Sequence, residues 1–445
     1  MAFSRGNILV PMSRSGHGDF SCPGAEKASP GLVLSDKKRI FAENYWQIAM
    51  RIVEIPSFFP PYGGEFCMDQ AKALAALGHE VTVLAHVQLG LTVYPKGWLH
   101  ARTKPLRLEE DGVCVVRTEM RGFPRSPRLN ARRWTRGVRR LFAAYVKERG
   151  VPDVIHAHCC KWAGYAACLL SREYGVPYVV TEHLPASLLA EELGEPRRGI
   201  WQVEPLREAY REAAMVIPVS EELVDDLAPY FGKDYRWTAI SNIVDTGFFH
   251  FQPRPSLRGR RFRFCCVANY VPRKGYDVLF QAFKRLSARC DNVELHIAGR
   301  FTAGRECRQA IEALGLGDRV VNHGELDKED VRRLLYTCDC LVLASRGEAQ
   351  GLVLLEAMAT GIPVVTTDRV PRNALVEGGS LVVPVDDAAA LAQAMFRMIE
   401  HYPEASASLS AKVVEMCSPQ SVGQRIASVL EAATLESCVK SWWRH

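Results

Sequence analysis

A chain of 445 residues with 48% hydrophobic and 24% charged content is long enough for two ordinary domains and has the balance of a soluble globular protein. No window approaches the length of apolar sequence that a membrane span needs, and Asn7–Met12 is too short and too broken by Pro11 for a signal-peptide core, so a cytoplasmic location is the default expectation. The net charge of +6 is modest, and the 14 cysteines are scattered through apolar strands without paired C-x2-C spacing, which argues for reduced buried thiols over a zinc or disulfide framework.

Residues 1–49 are rich in Gly, Ser, Pro and charge, and Met50-Arg-Ile-Val reads as a domain start. They are expected to be a disordered extension, or to precede the true start. From Met50 onward, strand and helix signals alternate, which implies parallel sheets with crossover helices. The first series places strands at Arg51–Ile55, Val81–Ala85, Cys114–Thr118, Val154–Ala157, Tyr178–Thr181 and Met215–Val219, with a helix over Cys67–Leu77 ended by Gly78. The second places them at Arg263–Ala268, Val293–Ala298, Val320–Asn322, Cys340–Ala344, Pro363–Thr366 and Leu381–Pro384. Two similar series predict two Rossmann-like domains facing each other, over 50–245 and 246–420, with the break between Asn242 and Arg258 where Pro253 and Pro255 fall. A last helix from about Ser421 to Ala433, within a 421–445 tail, is expected to return to the first domain.

In open parallel sheets, ligands sit at the carboxyl ends of strands. The most specific candidate there is the loop and helix after the strand at Cys340. Glu348 and Glu356 are eight positions apart, with Gly351 opening a helix over Leu352–Ala359 and Gly361 closing it. Eight helical positions span roughly 12 Å, about the distance from the sugar to the ribose of a nucleotide sugar. A carboxylate at each end, with free N–H groups of a helix N-terminus between them, suits hydroxyls at both ends and a diphosphate in the middle.

Other strand ends carry weaker signals. Gly63 and Gly64 in Pro60-Pro-Tyr-Gly-Gly64 would let backbone approach a phosphate, although a plain Pro-Gly turn explains them equally well. His183 ends its strand and could bond a donor sugar hydroxyl or help polarise the reacting centre. Lys274, in Val271-Pro-Arg-Lys-Gly-Tyr-Asp277, would offer a compact cation to a leaving diphosphate. His156-Ala-His158 shares one strand face, but the sequence shows no third ligand near it, so no metal site is expected.

Taken together, Phe58–Gly64, Ala75–Val83, Asp153–His158, Thr181-Glu-His183, Val219-Ser220, Asn242-x-Val-Asp245, Pro272-Arg-Lys-Gly275 and the E-x7-E segment make the chain resemble a family-4 retaining glycosyltransferase of GT-B fold, from Met50 to about Ala433. The resemblance implies that Glu356 holds the nucleotide ribose, while Glu348 contacts the donor sugar and acts electrostatically at the reacting centre. It implies further that Lys274 binds the diphosphate, that Gly64 lies near it, and that Gly351 and Leu352 offer N–H groups to the phosphates. His183 would line the sugar site. No cofactor and no metal are implied beyond the nucleotide-sugar co-substrate, and no Asp-x-Asp motif is present. The chain departs from the family in three places. Asn269 stands where the family often has Arg, with Arg273 able to compensate. The frequent Glu-Gly-Phe-Gly reads Glu348-Ala-Gln-Gly351, which leaves the donor sugar open. Asn-Gly-Val-Asp reads Asn242-Ile-Val-Asp245, a change in a turn.

Charge is concentrated between Arg121 and Arg149. On a helix there, Trp134, Val138, Leu141, Phe142 and Tyr145 share one side, and Arg132, Arg133, Arg136, Arg139 and Arg140 gather on the other. A plain solvated face explains the arginines; as a functional surface they would attract anionic lipid or a lipid-diphosphate acceptor on the inner face of the membrane. No aromatic-interleaved motif points to nucleic acid. The expected activity is sugar transfer to a lipid-linked saccharide in surface polysaccharide assembly. Its rivals are a GT-B enzyme acting on a soluble acceptor or phosphate, and a silent nucleotide-sugar-binding protein, which Asn269 and Gln350 keep in play.

Overall fold

The computed structural model describes residues 49–193, 200–253, 260–401 and 406–442, so the expectation for residues 1–49 lies, Ala49 apart, outside the described residues. Two sheets follow in sequence. The first comprises β1 (Arg51–Pro56), β2 (Glu80–Gly90), β3 (Leu106–Glu110), β4 (Val113–Gly122), β5 (Val154–His158), β6 (Tyr178–Glu182) and β7 (Met215–Pro218), in the spatial order β3-β4-β2-β1-β5-β6-β7. The second comprises β8 (Phe262–Val267), β9 (Val293–Ala298), β10 (Val320–Asn322), β11 (Cys340–Leu343), β12 (Val364–Thr367) and β13 (Ser380–Val383), in the order β10-β9-β8-β11-β12-β13.

Every pairing is parallel except β3 with β4. The sequence reading places no strand at β3. Four of its five residues are exposed, so the strand carries little apolar signal. The legible cue is Asp111-Gly112, both at positive φ (49° and 79°), a two-residue hairpin turn into β4.

Parallel strands buried on both faces read as apolar runs, and alternation along them feeds two cores. Val53 and Ile55 pack with Trp134, Val138 and Phe142 of the helix Pro127–Arg149. Ile52, Val81 and Val83 pack on the other face with Leu74 of the helix Glu65–Ala76. Strand order reverses between β1 and β5 in the first sheet and between β8 and β11 in the second. At such a reversal the neighbouring crossovers go to opposite faces, and a crevice opens at the strands' carboxyl ends.

The helix Pro419–Trp442 follows the second sheet in sequence but packs with the first. Val422, Ile426 and Leu430 are fully buried in the cluster that holds Ile52 and Leu74. Arg425 donates to the Ala239 carbonyl at 2.9 Å, and Arg236 forms a two-pronged pair with Glu436 at 2.7 and 2.9 Å. The approach is close at Gly423, where a Cβ would lie 3.0 Å from the Ala73 Cβ. Gly423→Val should therefore wedge the two helices apart and cost about 1–3 kcal/mol, seen as a lower Tm. An unchanged Tm would show that this contact does not hold the helix.

Candidate active site

Three helices start at the crevice, each with glycine as its left-handed N-cap and no side-chain cap. They are Glu65–Ala76 after Gly64, Tyr276–Ser287 after Gly275, and Leu352–Ala359 after Gly351. A missing side-chain cap leaves first-turn N–H groups without that partner. Two of these glycines are also fixed by close approach. A Cβ on Gly64 would lie 2.1 Å from the Phe58 carbonyl oxygen, and one on Gly275 would lie 2.0 Å from that of Ala344. A cavity of about 500 Å³ lies here, lined by Phe66, His183 and Asn242 from the first half and by Asn269, Arg273, Lys274 and Glu348–Val353 from the second.

Glu348 and Lys274 meet directly. The Lys274 ammonium donates to Glu348 Oε1 at 2.5 Å, with the two side chains only 16% and 8% exposed. Ser345 donates to the same oxygen at 2.6 Å, and Arg273 reaches Glu348 Oε2 at 3.3 Å and the Gly347 carbonyl at 2.7 Å. Burial alone would push the Glu348 carboxyl up; Lys274 above all, then Ser345 and Arg273, outweigh it and hold the group below its ordinary range. The expected diphosphate lysine and sugar-side carboxylate are thus partners of one another. The loops that carry them are bonded as well, through Arg346 N–H to the Arg273 carbonyl at 2.8 Å.

Glu356 is the opposite case. It is half-buried, one turn beyond Leu352 and Val353 and outside the residues that line the cavity. Its carboxylate makes no hydrogen bond among the described residues. Burial, then the carboxylates of Asp69 and Asp245, push it up to about 7 against the pull of Lys328, which pairs with Asp245 at 2.9 Å. Gly63 and Gly64 sit in left-handed conformations at φ 93° and 86° but do not line the cavity; their neighbour Phe66 does.

His183 is 7% exposed, and its ring lies flat on Phe66 with centroids 3.6 Å apart. Its backbone N–H and that of Leu184 donate to Glu182 Oε1 at 2.9 and 3.0 Å. Glu182 Oε2 accepts from Cys160 N–H and the Tyr210 hydroxyl, so this buried carboxylate fixes the strand end. Behind His183 stand His158 and His156, and the pairing of β1 with β5 supplies the third group that the sequence did not reveal. Glu54 lies opposite His156 and bonds both histidines. These three side chains lie within 4.8 Å of one another, and both nitrogens of each ring make hydrogen bonds.

With that geometry in view, the comparisons are specific. The family model described as Glycosyl transferase 4-like domain matches residues 63–242, and that described as Glycosyl transferases group 1 matches residues 261–401. The chain belongs to the group 1 glycosyl transferases. It is 28% identical over 406 residues to the putative colanic acid biosynthesis glycosyltransferase WcaL of Salmonella typhimurium, covering 84% of this chain and 97% of that one. It is 27% identical over 332 residues to the MMP alpha-(1->4)-mannosyltransferase of Mycolicibacterium hassiacum, covering 68% and 77%. Its fold is GT-B. The Anabaena HepE structure in complex with UDP matches with a TM-score of 0.63 at 20% identity, over 86% of this chain and all of that one. Sucrose-phosphate synthase from Thermosynechococcus elongatus matches with 0.62 at 20% identity, over 89% and 98%.

Two departures from the family pattern acquire a place in this glycosyltransferase. Asn269 Oδ1 accepts from Arg300 N–H at 3.2 Å, which ties the ends of β8 and β9 together. Gln350 is 2% exposed and turns its amide to the segment joining the halves, accepting from Asn242 N–H at 2.9 Å and donating to the Ser241 hydroxyl. Of the basic helix residues, Arg132, Arg136, Arg139 and Arg140 are exposed and Arg133 is half-buried. Arg139 pairs with Glu173 at 2.6 Å, and Arg133 donates to the Arg121 carbonyl at 2.8 Å. The other three make no ion pair among the described residues.

Glu356 sets a pH dependence. Its folded pKa of about 7 exceeds the ordinary 4.5, so between those values the unfolded chain releases a proton that the folded one keeps. Stability from this group therefore falls as pH rises through that window, and above it the penalty is on the order of 3 kcal/mol. Glu356→Gln should raise Tm at pH 8 and change it little at pH 5. Equal shifts at both pH values would contradict the assignment.

Proposed function

We propose that this glycosyltransferase moves a sugar, with retention and without a metal, from a nucleotide-sugar donor to a lipid-linked saccharide in surface polysaccharide assembly. The observation that carries the reading is the position of the Lys274–Glu348 pair. It stands at the junction of the 500 Å³ cavity with a larger one of about 1670 Å³. Glu348, Arg273 and Asn269 line both, and first-half segments around Leu188, Glu222 and Trp237 form the far wall of the larger one. The donor's sugar and diphosphate occupy the smaller cavity, its nucleoside extends past it toward Glu356, and the acceptor enters by the larger. UDP bound to HepE and the biosynthetic roles named for WcaL and for TuaC of Bacillus subtilis support a nucleotide-sugar donor and a polysaccharide product.

In this reading the donor diphosphate lies against Lys274, Arg273 and the uncapped N-terminus after Gly351, and Glu356 accepts from the ribose hydroxyls. The bond between the anomeric carbon and the diphosphate oxygen breaks. Its electron pair leaves with the phosphate, where the two cations stabilise it. Glu348, ionised, faces the positive charge that develops on the sugar. The acceptor hydroxyl attacks on the face the phosphate is leaving, and its proton passes to the departing phosphate oxygen. A screen of UDP-, GDP- and ADP-sugars for binding and turnover should select one donor and proceed unchanged in EDTA. Lys274→Ala should lower kcat/KM about a hundredfold or more, and Glu356→Ala should weaken nucleotide binding about ten- to a hundredfold. A folded protein that binds no donor would favour a silent partner.

The lipid-linked acceptor rests on a surface of the first half. Leu99, Phe123 and Leu129 are 59%, 41% and 49% exposed. Trp98 packs edge-on to Phe123, Arg121 covers the Trp98 ring at 5.3 Å, and Arg133 covers Phe123 at 4.9 Å. Apolar side chains rimmed by arginines, with Arg132, Arg136 and Arg140 on the adjoining helix, suit an anionic bilayer at about 1 kcal/mol per basic residue. None of the described helices is long and apolar enough to cross a membrane, so attachment would be peripheral, on the cytoplasmic face. The protein should float with phosphatidylglycerol vesicles at low salt. Arg132→Glu with Arg136→Glu, or Leu99→Ser with Phe123→Ser, should abolish flotation. Turnover of a soluble acceptor without vesicle binding would favour the soluble-acceptor reading.

A further inference from the structure

Arg346 stands in the loop after β11, just before Glu348, and its guanidinium reaches loops on both sides of that strand. Nη1 donates to the Pro272 carbonyl at 2.5 Å and Nη2 to Asp277 Oδ2 at 2.7 Å, both in the segment after β8. Nε donates to Asp386 Oδ1 at 2.7 Å, in the loop after β13. In the sheet, β11 has β8 on one flank and β12, then β13, on the other, so one side chain ties the carboxyl-end loops of both flanks. A flat guanidinium with donors on three sides can meet three acceptors at once. An ammonium on a flexible stem cannot hold that geometry.

The anchors are themselves fixed. Asp387, next to Asp386, caps the helix Ala388–Glu400 by accepting from the Ala389 and Ala390 N–H groups at 2.9 Å. Leu391 and Met395 of that helix are buried in one core with Leu279 and Phe283 of the helix Tyr276–Ser287. Asp386 holds a left-handed φ of 59°, a conformation that glycine takes most readily. The aspartate keeps a carboxylate at this position, and that carboxylate is bonded to Arg346. Burial pushes the Asp277 carboxyl up, and Arg346 outweighs it and holds the group below its ordinary range. Matched by two carboxylates, Arg346 has no net charge to offer a phosphate.

What it holds is the turn that carries the cations. Arg346 takes the Pro272 carbonyl through its side chain and the Arg273 carbonyl through its backbone N–H at 2.8 Å. These two carbonyls directly precede Lys274, and Asp277 lies just beyond it in the first turn of the following helix. We propose that Arg346 is a positioning residue for the donor diphosphate: it clasps the Pro272–Lys274 turn at both ends and sets Arg273 and Lys274 in register with Glu348. It touches neither sugar nor phosphate and acts through the two cations. The diphosphate as ligand rests on the donor reading above; the clasp does not.

The test uses the full chain with Arg346→Lys, which keeps the charge and loses the fork. Asp386→Gly serves beside it, removing one anchor while relieving the left-handed backbone, so that Tm should hold. Calorimetric titrations compare UDP, GDP and ADP with the matching monophosphates. Lys274 pairs with the sugar-side Glu348, so the phosphate next to the sugar meets it, and a monophosphate lacks that group. The diphosphate that binds should weaken about tenfold in Arg346→Lys and about threefold in Asp386→Gly, and its monophosphate less than about twofold. With Arg273→Ala and Lys274→Ala already in place, Arg346→Lys should add less than about twofold. Wild-type diphosphate affinity in Arg346→Lys, or an equal loss for the monophosphate, would overturn the proposal. Without any ligand, amide hydrogen exchange over residues 271–277 should quicken about tenfold in both variants, and unchanged exchange would overturn it equally. A wild-type protein that binds no nucleotide would refute the donor reading, and the exchange result would still decide the clasp.

Discussion

The acidic loop between β11 and the helix Leu352–Ala359 is held from both halves of the molecule, and the geometry of the crevice depends on that double hold. From the second half come Ser345, Arg273 and Lys274, all bonded to the Glu348 carboxylate. From the first half, Ser220 donates to the Ala349 carbonyl at 2.8 Å, and Ser241 and Asn242 engage the Gln350 amide. Gln350 is almost wholly buried, so a lost partner would leave a polar group stranded away from water, at a cost of about 1–3 kcal/mol. Relative movement of the halves must therefore act on this loop, and through it on Glu348.

The two carboxylates of the motif lie one loop and one helix turn apart, yet their electrostatics oppose each other. Glu348 is surrounded by cations and a hydroxyl and stays ionised. Glu356 has Asp69 and Asp245 for neighbours, and one lysine already shared with Asp245. Burial penalises the charge of both; only Glu348 has partners close enough to reverse the sign. A strongly raised carboxyl without protein hydrogen bonds is what a ligand with paired hydroxyls can stabilise.

Much of this was legible in the sequence. The apolar runs located twelve of the thirteen strands, because strands buried on both faces have no polar alternation to blur them. Gly351 and Gly361 bounded the helix Leu352–Ala359, since both hold positive φ, at 90° and 88°. Long-range relations were not legible. Glu54 stands 102 residues from His156 and meets it only because β1 and β5 are neighbours in space, so His156-Ala-His158 read as a pair without a third member. Gln350 reads from the sequence only as part of a departure that leaves the donor sugar open, and its side chain is turned to Ser241 and Asn242. Lys274 and Glu348 were each assigned a piece of the donor, and the ion pair between them could not be seen across 74 positions.

That ion pair bears on how the proposed reaction would be triggered. Without donor, the charges of Lys274 and Arg273 are spent on Glu348 in a nearly closed environment, where breaking a pair from one side is costly, about 3–5 kcal/mol. A diphosphate brings two or more negative charges to the same cations and repays that cost with bonds of the same kind. Glu348 would then keep Ser345 but give up part of its neutralising shell, and its negative charge would become more available to the adjacent sugar. In the proposed reaction the carboxylate would be strengthened at the moment the leaving group is seated. On the proposed reading the pair would delay the full electrostatic field of the site until the donor is in place, and so guard the bound sugar against a half-assembled centre.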